Sequence, residues 1–223
     1  MTEAQINLGQ DFSSYKRDSG IHADPGGALE GLWHQEMQSK VRELETSYPG
    51  ISQEFERLIE SLPDPDDPKK SEFPFAASVV RVTNGQLEVL ARATNVVNAR
   101  KDSTGHAELV AITEAETKLG DKHLDGCTLL SVAQPCEMCS GAVRNTQIGT
   151  VVYGVSQEEL RGRHVQFSQE FKPIRTVPKS LDPDALLAEA GIKVIGGYKH
   201  DEIIKKLTRT VGTTKEYYED PDA

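Results

Sequence analysis

The stretch CTLLSVAQPCEMC, residues 127–139, decides how this chain folds. Its first seven residues, Cys127–Ala133, are almost continuously apolar, which predicts a strand covered on both faces and central in a sheet. Pro135 suits the opening of a helix, because its fixed φ is pre-organised and its missing N–H would have no partner there. The spacing predicts that helix over about Cys136–Thr146. Cys136 and Cys139 then lie three residues apart on one face. The positive end of the helix dipole favours the thiolate form of both.

The same alternation of strand and helix extends outward from this unit. Phe75–Val82 and Leu87–Ala93 read as strands joined by Asn84-Gly85, two residues that tolerate positive φ and so favour a hairpin. Asn95–Gly105 reads as a polar loop, and His106–Leu119 as a helix. Beyond the central unit, Thr150–Val155 and Ile192–Ile195 read as strands. One helical turn fits Gln157–Leu160 in an otherwise irregular 156–181. Asp182 caps a helix that starts at Pro183 and runs to Ala190, and Lys199–Arg209 closes the chain as a helix. This order predicts an α/β fold with helices on the faces of one sheet. Upstream, Leu29–Glu45 carries Leu32, Trp33, Met37, Val41 and Leu44 near helical spacing. A second helix fits Ser52–Ser61, with Ser52 as its N-cap. Residues 1–27 read as loosely ordered, and Pro63–Pro68 as a stiff polar linker. The chain divides into an extension over 1–70, a domain over 71–210 and a tail over 211–223.

Two short fragments carry the chemistry: His106-Ala107-Glu108 and Pro135-Cys136-Glu137-Met138-Cys139. A lone Cys-x-x-Cys could be a redox pair or half of a structural metal site. Taken with His106 it offers one imidazole and two thiolates, and three protein ligands leave a tetrahedral zinc one open position. A water in that position loses a proton near neutral pH. Glu108, two residues after His106, points away from the ligand direction. It is suited to stand beside the metal and move protons. Both fragments open helices that follow strands, so both can converge at one edge of a sheet. Cys127 reads as a small buried apolar residue. His22, His34, His123, His164 and His200 have no ligand spacing. Lys199, Lys205, Lys206 and Arg209 read as a solvated helix face.

His-x-Glu followed by Pro-Cys-x-x-Cys resembles the signature of the zinc-dependent deaminases of nucleobases and nucleosides, in which the Glu is the general acid and base. The likeness extends to Phe73-Pro-Phe-Ala-Ala77, Asn95, Asp102–Glu108, Ser140–Val143 and Val151–Gly154, which are similar to segments of bacterial guanine deaminases and tRNA adenosine deaminases. It covers residues 50–155 well and 156–210 in outline, and residues 1–48 do not share in it.

The resemblance implies a cytidine deaminase-like, three-layer α/β/α sandwich around a five-stranded mixed sheet, with the N-terminal helices as an extension. It implies Zn2+ as cofactor, with His106, Cys136 and Cys139 as ligands. It implies Glu108 as the catalytic residue, protonating first a ring nitrogen and then the leaving amine. It further implies that Asn95 and the backbone N–H of Ala107 bond the substrate's polar edge, that Phe75 shapes the pocket, and that the protein is a homodimer. There are departures from the pattern. Gln134 stands where the nearest relatives carry Glu, and Gly105 where they carry Ala. An acidic cluster of guanine deaminases is missing from 156–181.

Composition narrows the substrate. The chain of 223 residues has a net charge of −10, and residues 1–70 hold 14 acidic and 7 basic side chains. Binding a phosphate backbone runs on Lys and Arg, so this balance disfavours a nucleic-acid partner. No run approaches the roughly 18 apolar residues of a membrane span. The opening residues lack the basic and apolar regions of a secretory signal, and three cysteines do not make a disulfide framework, so a cytoplasmic address is expected. The reading is therefore a hydrolytic deaminase of a free nucleobase or nucleoside, with a guanine-like purine favoured. The alternatives are adenosine-to-inosine deamination in tRNA, a cytosine or amino-triazine substrate, and a non-catalytic zinc module. Loops 156–181 and Tyr217-Tyr218 would set selectivity.

Overall fold

The computed structural model describes residues 28–62, 73–162 and 182–210. The readings of residues 1–27, Pro63–Pro68, most of 156–181, and Tyr217-Tyr218 lie outside them. The elements in chain order are α1 (Ala28–Ser47), α2 (Ile51–Ser61), β1 (Ala76–Thr83), β2 (Gln86–Thr94), α3 (Val97–Arg100), α4 (Ala107–Leu119) and β3 (Cys127–Ala133). There follow α5 (Glu137–Asn145), β4 (Thr150–Val155), α6 (Gln157–Gly162), α7 (Pro183–Glu189), β5 (Lys193–Ile195) and α8 (His200–Thr210).

The five strands form one mixed sheet in the order β2-β1-β3-β4-β5. β1 runs antiparallel to β2 and β3, whereas β3, β4 and β5 are parallel. β3 is central and every residue in it is buried, as its apolar run predicts. Successive side chains on a strand face opposite sides. Val79, Leu129 and Val151 therefore join one core layer with Ala107, Ala111, Val143 and Leu187 from α4, α5 and α7. Val80, Leu130 and Val152 join the other, with Leu44, Phe55, Leu58, Ile203 and Leu207 from α1, α2 and α8. This is the expected three-layer sandwich, and α1 and α2 are part of one outer layer. Asn84 (φ 52°) and Gly85 (φ 73°) make the β1–β2 turn, and Asp182 Oδ1 accepts from Asp184 N to cap α7.

Three details depart from the sequence reading. The helix read as starting at Ser52 starts at Ile51, capped by Gly50 at φ 97°, because the chain reverses sharply there and only glycine takes that backbone freely. Ser52 Oγ instead lies 3.4 Å from Glu56 Oε1. The loop after β2 contains the short helix α3. Lys199 is not on a solvated face: its side chain is 14% exposed and its Nζ donates to Glu56 and Glu202.

A charged pair sits between α2 and the sheet. Glu54 is 1% exposed and accepts two hydrogen bonds from Arg92, from Nε at 2.8 Å and from Nη2 at 2.5 Å. Glu54→Ala is expected to lower unfolding free energy by about 1.5–3 kcal/mol, the range for hydrogen bonds to charged groups, read from urea denaturation. On β4, a Cβ at Gly154 would lie 2.1 Å from Ile203 Cδ1 and 2.9 Å from the Val132 carbonyl oxygen. Gly154→Ala is expected to cost about 1–3 kcal/mol by overpacking, with the melting temperature as readout.

Candidate metal centre and active site

His106 and Cys136 occupy equivalent places. Each is the N-cap of a helix, α4 and α5 respectively, with extended backbone (φ −67°, ψ 145° and φ −71°, ψ 174°). α4 follows the β2 edge of the sheet and α5 follows the end of β3, and both pack on the same sheet face. Their N-termini meet there. Cys139, fully buried in the first turn of α5, completes the group.

The three donor atoms form a nearly equilateral triangle. Cys136 Sγ lies 3.5 Å from Cys139 Sγ, and each sulfur lies 3.6 Å from His106 Nδ1. A tetrahedral zinc at ordinary Zn–S and Zn–N lengths needs edges of about 3.6–3.8 Å between such donors. The residues fit the ion, and they fit it through Nδ1 of the imidazole. Among the described residues this is the group of His, Cys and acidic side chains positioned to hold a metal.

The close contacts within the group displace its titration. The hydrogen bond from Cys139, aided by His106, pulls the Cys136 thiol down to about 4. The same hydrogen bond and burial push the Cys139 thiol up. The hydrogen bond to Cys136 pushes the His106 imidazole up. Glu108 is 6% exposed, and burial pushes its carboxyl up to about 7. Its carboxylate contacts the Cys139 side chain without joining the donor triangle.

The other expected site residues are held by contacts of their own. Asn95 is 2% exposed and its Oδ1 accepts from the Val97 N–H at 3.0 Å, opening α3. Asn95 N in turn donates to the Phe75 carbonyl oxygen. Phe75 is half-buried and packs against both core layers. Ala107 is fully buried as the first residue of α4, where the helix itself offers its N–H no acceptor. Asp102 Oδ1 accepts from Thr104 N and Oγ1, which holds the turn before His106. Cys127 is buried on β3, outside the donor group. His200 is engaged by Glu159 and Asp201. The role of Gln134 is not legible from its residue type: its side chain bonds the start of α6.

Residues 52–155 match the cytidine and deoxycytidylate deaminase zinc-binding region. The tRNA-specific adenosine deaminase of Bacillus subtilis is 42% identical over 86 residues, covering 39% of this chain and 51% of that protein. That of Aquifex aeolicus is 36% identical over 94 residues, covering 42% and 60%. The chain thus spans about half the length of these curated relatives. It spans 15% of a third, the tRNA(Ile)-lysidine synthase of Deinococcus radiodurans, at 39% identity over 40% of this chain. Among solved structures, the guanine deaminase from Nitrosomonas europaea superposes with a TM-score of 0.50 at 27% identity, covering 62% of this chain and 73% of that one. NE0047 in complex with 2,6-diaminopurine gives 0.52 at 26%, covering 66% and 75%.

Purified protein is expected to carry close to one zinc per chain by elemental analysis. His106→Ala and Cys139→Ser are each expected to drop that content below about a tenth and to lower the melting temperature, since metal binding stabilises the folded state. The donor triangle, the buried carboxylate beside it and the matched region agree: residues 52–155 are similar to the zinc-binding region of the cytidine and deoxycytidylate deaminases.

Proposed function

We propose that this protein hydrolytically deaminates a free nucleobase or nucleoside, with guanine-like purines first. The observation that carries this reading is the buried carboxylate of Glu108 against a three-donor metal triangle. A structural site would take a fourth protein ligand, and it would have no use for a buried acid beside its donors. In this reading His106 Nδ1, Cys136 Sγ and Cys139 Sγ are the zinc ligands. The ion supplies Lewis acidity that makes water nucleophilic near neutral pH.

Glu108 does the proton work. It accepts a proton from the attacking water and gives it to the ring nitrogen beside the amine-bearing carbon. It then carries a second proton to the departing amine, so that water and the amine become ammonia and a carbonyl. Asn95 contributes orientation. Its oxygen is engaged by Val97 N–H, so its NH2 is the group that offers a donor to an acceptor on the base. The N–H of Ala107, at the positive end of α4, meets the polar edge of the ring, and Phe75 forms one wall. The small-purine preference is supported by the structural likeness to proteins named as guanine deaminase or solved with 2,6-diaminopurine, and by the net charge of −10.

A second reading, adenosine deamination in tRNA, is favoured by one observation: the curated relatives at 36–42% identity are named tRNA-specific adenosine deaminases. The two separate by substrate. Ammonia should be released from at least one of guanine, guanosine, adenine, adenosine or cytosine. Inosine formed in tRNA, with no release from any of these, would favour the second reading. In either case Glu108→Gln is expected to retain zinc and to lower turnover at least about 10²–10⁴-fold, the span general acid–base catalysis supplies. Turnover within tenfold of wild type would remove Glu108 from the chemistry.

A further inference from the structure

We propose that Gln134 is a positioning residue of the metal centre. With Gln157 it forms a two-way amide clamp that sets where Cys136 stands, and its departure from Glu leaves the choice of substrate unchanged. The proposal rests on the metal reading of His106, Cys136 and Cys139, and does not depend on which amine is removed.

Gln134 is the residue between the end of β3 and Pro135-Cys136. Its N–H donates to the Val155 carbonyl oxygen at 2.8 Å, which carries the β3–β4 ladder one residue past Ala133 and Val155. Its Oε1 accepts from Gln157 N at 3.0 Å, and its own carbonyl oxygen accepts from Gln157 Nε2 at 3.4 Å. Three hydrogen bonds thus join this one residue to the β4–α6 corner. A backbone N–H can only donate, so the oxygen of the Gln134 amide is assigned to α6 without ambiguity.

The position of Cys136 depends on this anchor. Pro135 has no N–H and cannot hold the chain itself. On the far side, Cys136 is fixed by Ser140 N donating to its carbonyl oxygen at 2.8 Å. The two residues between those points therefore take their place from Gln134 and from α5. The anchor is itself secured. Ser156 Oγ accepts from Glu159 N at 3.1 Å. The Glu159 carboxylate, 14% exposed, lies 2.7 Å from His200 Nε2, which ties α6 to α8. Outer groups that orient metal ligands typically govern affinity by about 10–100-fold.

The conservative variant Gln134→Glu is also informative. A glutamate at this position keeps an acceptor for Gln157 N–H at the positive end of α6, so it preserves the clamp. The position is then an acceptor for α6 in either form.

The test is zinc affinity, measured by competition with a chromophoric chelator on full-length Gln134→Ala, Gln134→Met, Gln134→Glu and Glu54→Ala. Gln134→Ala and Gln134→Met are expected to bind zinc at least about tenfold more weakly than wild type, and Gln134→Glu within about threefold. Glu54→Ala, which destabilises the opposite layer, should bind zinc as wild type does. That control separates a local effect from a general loss of stability. Should Gln134→Ala fail to fold, Gln134→Met keeps the side-chain length and removes only the polar amide. Over the same compound panel, Gln134→Glu should keep the wild-type order of substrates. Wild-type zinc affinity in Gln134→Met, or a new preferred substrate in Gln134→Glu, would overturn the proposal. If no compound in the panel reacts, the affinity measurements still decide it.

Discussion

Two cysteine sulfurs and an imidazole nitrogen stand within 3.6 Å of one another, and each comes from the first turn or the cap of a helix. That closeness is the constraint around which the rest of the molecule is arranged. Two thiolates and an imidazole at that spacing match the edges of a tetrahedral zinc site. Holding them there takes rigidity that short loops do not have. The sheet supplies it: β3 is buried along its whole length, and α4 and α5 are packed on one of its faces through Ala107, Ala111 and Val143. The outer helices α1, α2 and α8 cover the other face, so the strand that delivers Cys136 is held from both sides.

The chemistry follows from what that framework leaves beside the triangle. Glu108 lies on the same helix as the imidazole ligand but outside the donor set, and its burial keeps its carboxyl near the middle of the pH scale. That buried carboxyl is the group proposed to carry protons. Asn95 and Phe75 belong to the end of β2 and the approach to β1, which puts them at the same end of the sheet as the donor triangle. The fold thus collects the three donors, the buried carboxylate and the groups proposed to read the base at one edge.

Much of this was legible in the sequence because it depends on local rules. The apolar run at Cys127–Ala133, the turn at Asn84-Gly85, and the cap at Asp182 before Pro183 each declare their element through residue type alone. The metal site was legible because its ligand types and spacing are uncommon together. Other features depend on partners far along the chain. Glu54 meets Arg92 across thirty-eight positions, Gln134 meets Gln157 across twenty-three, and Lys199 reaches back to Glu56. Nothing in the immediate neighbourhood of these residues announces such contacts. Gly50 replaced Ser52 at the start of α2 for a similar reason: the sharp reversal out of α1 sets the cap, and a favourable capping side chain does not override it. The α3 turn was hidden because Asn95 signals a turn without saying that the turn continues into a helix.

The account stands or falls on a metal held by these three side chains with one position left open. X-ray absorption at the zinc edge of the purified protein measures this directly. It should report two sulfur scatterers and one imidazole, with the remaining shell made of light atoms that are not protein ligands. A third sulfur or a second imidazole would mean a closed structural site, and would contradict the account.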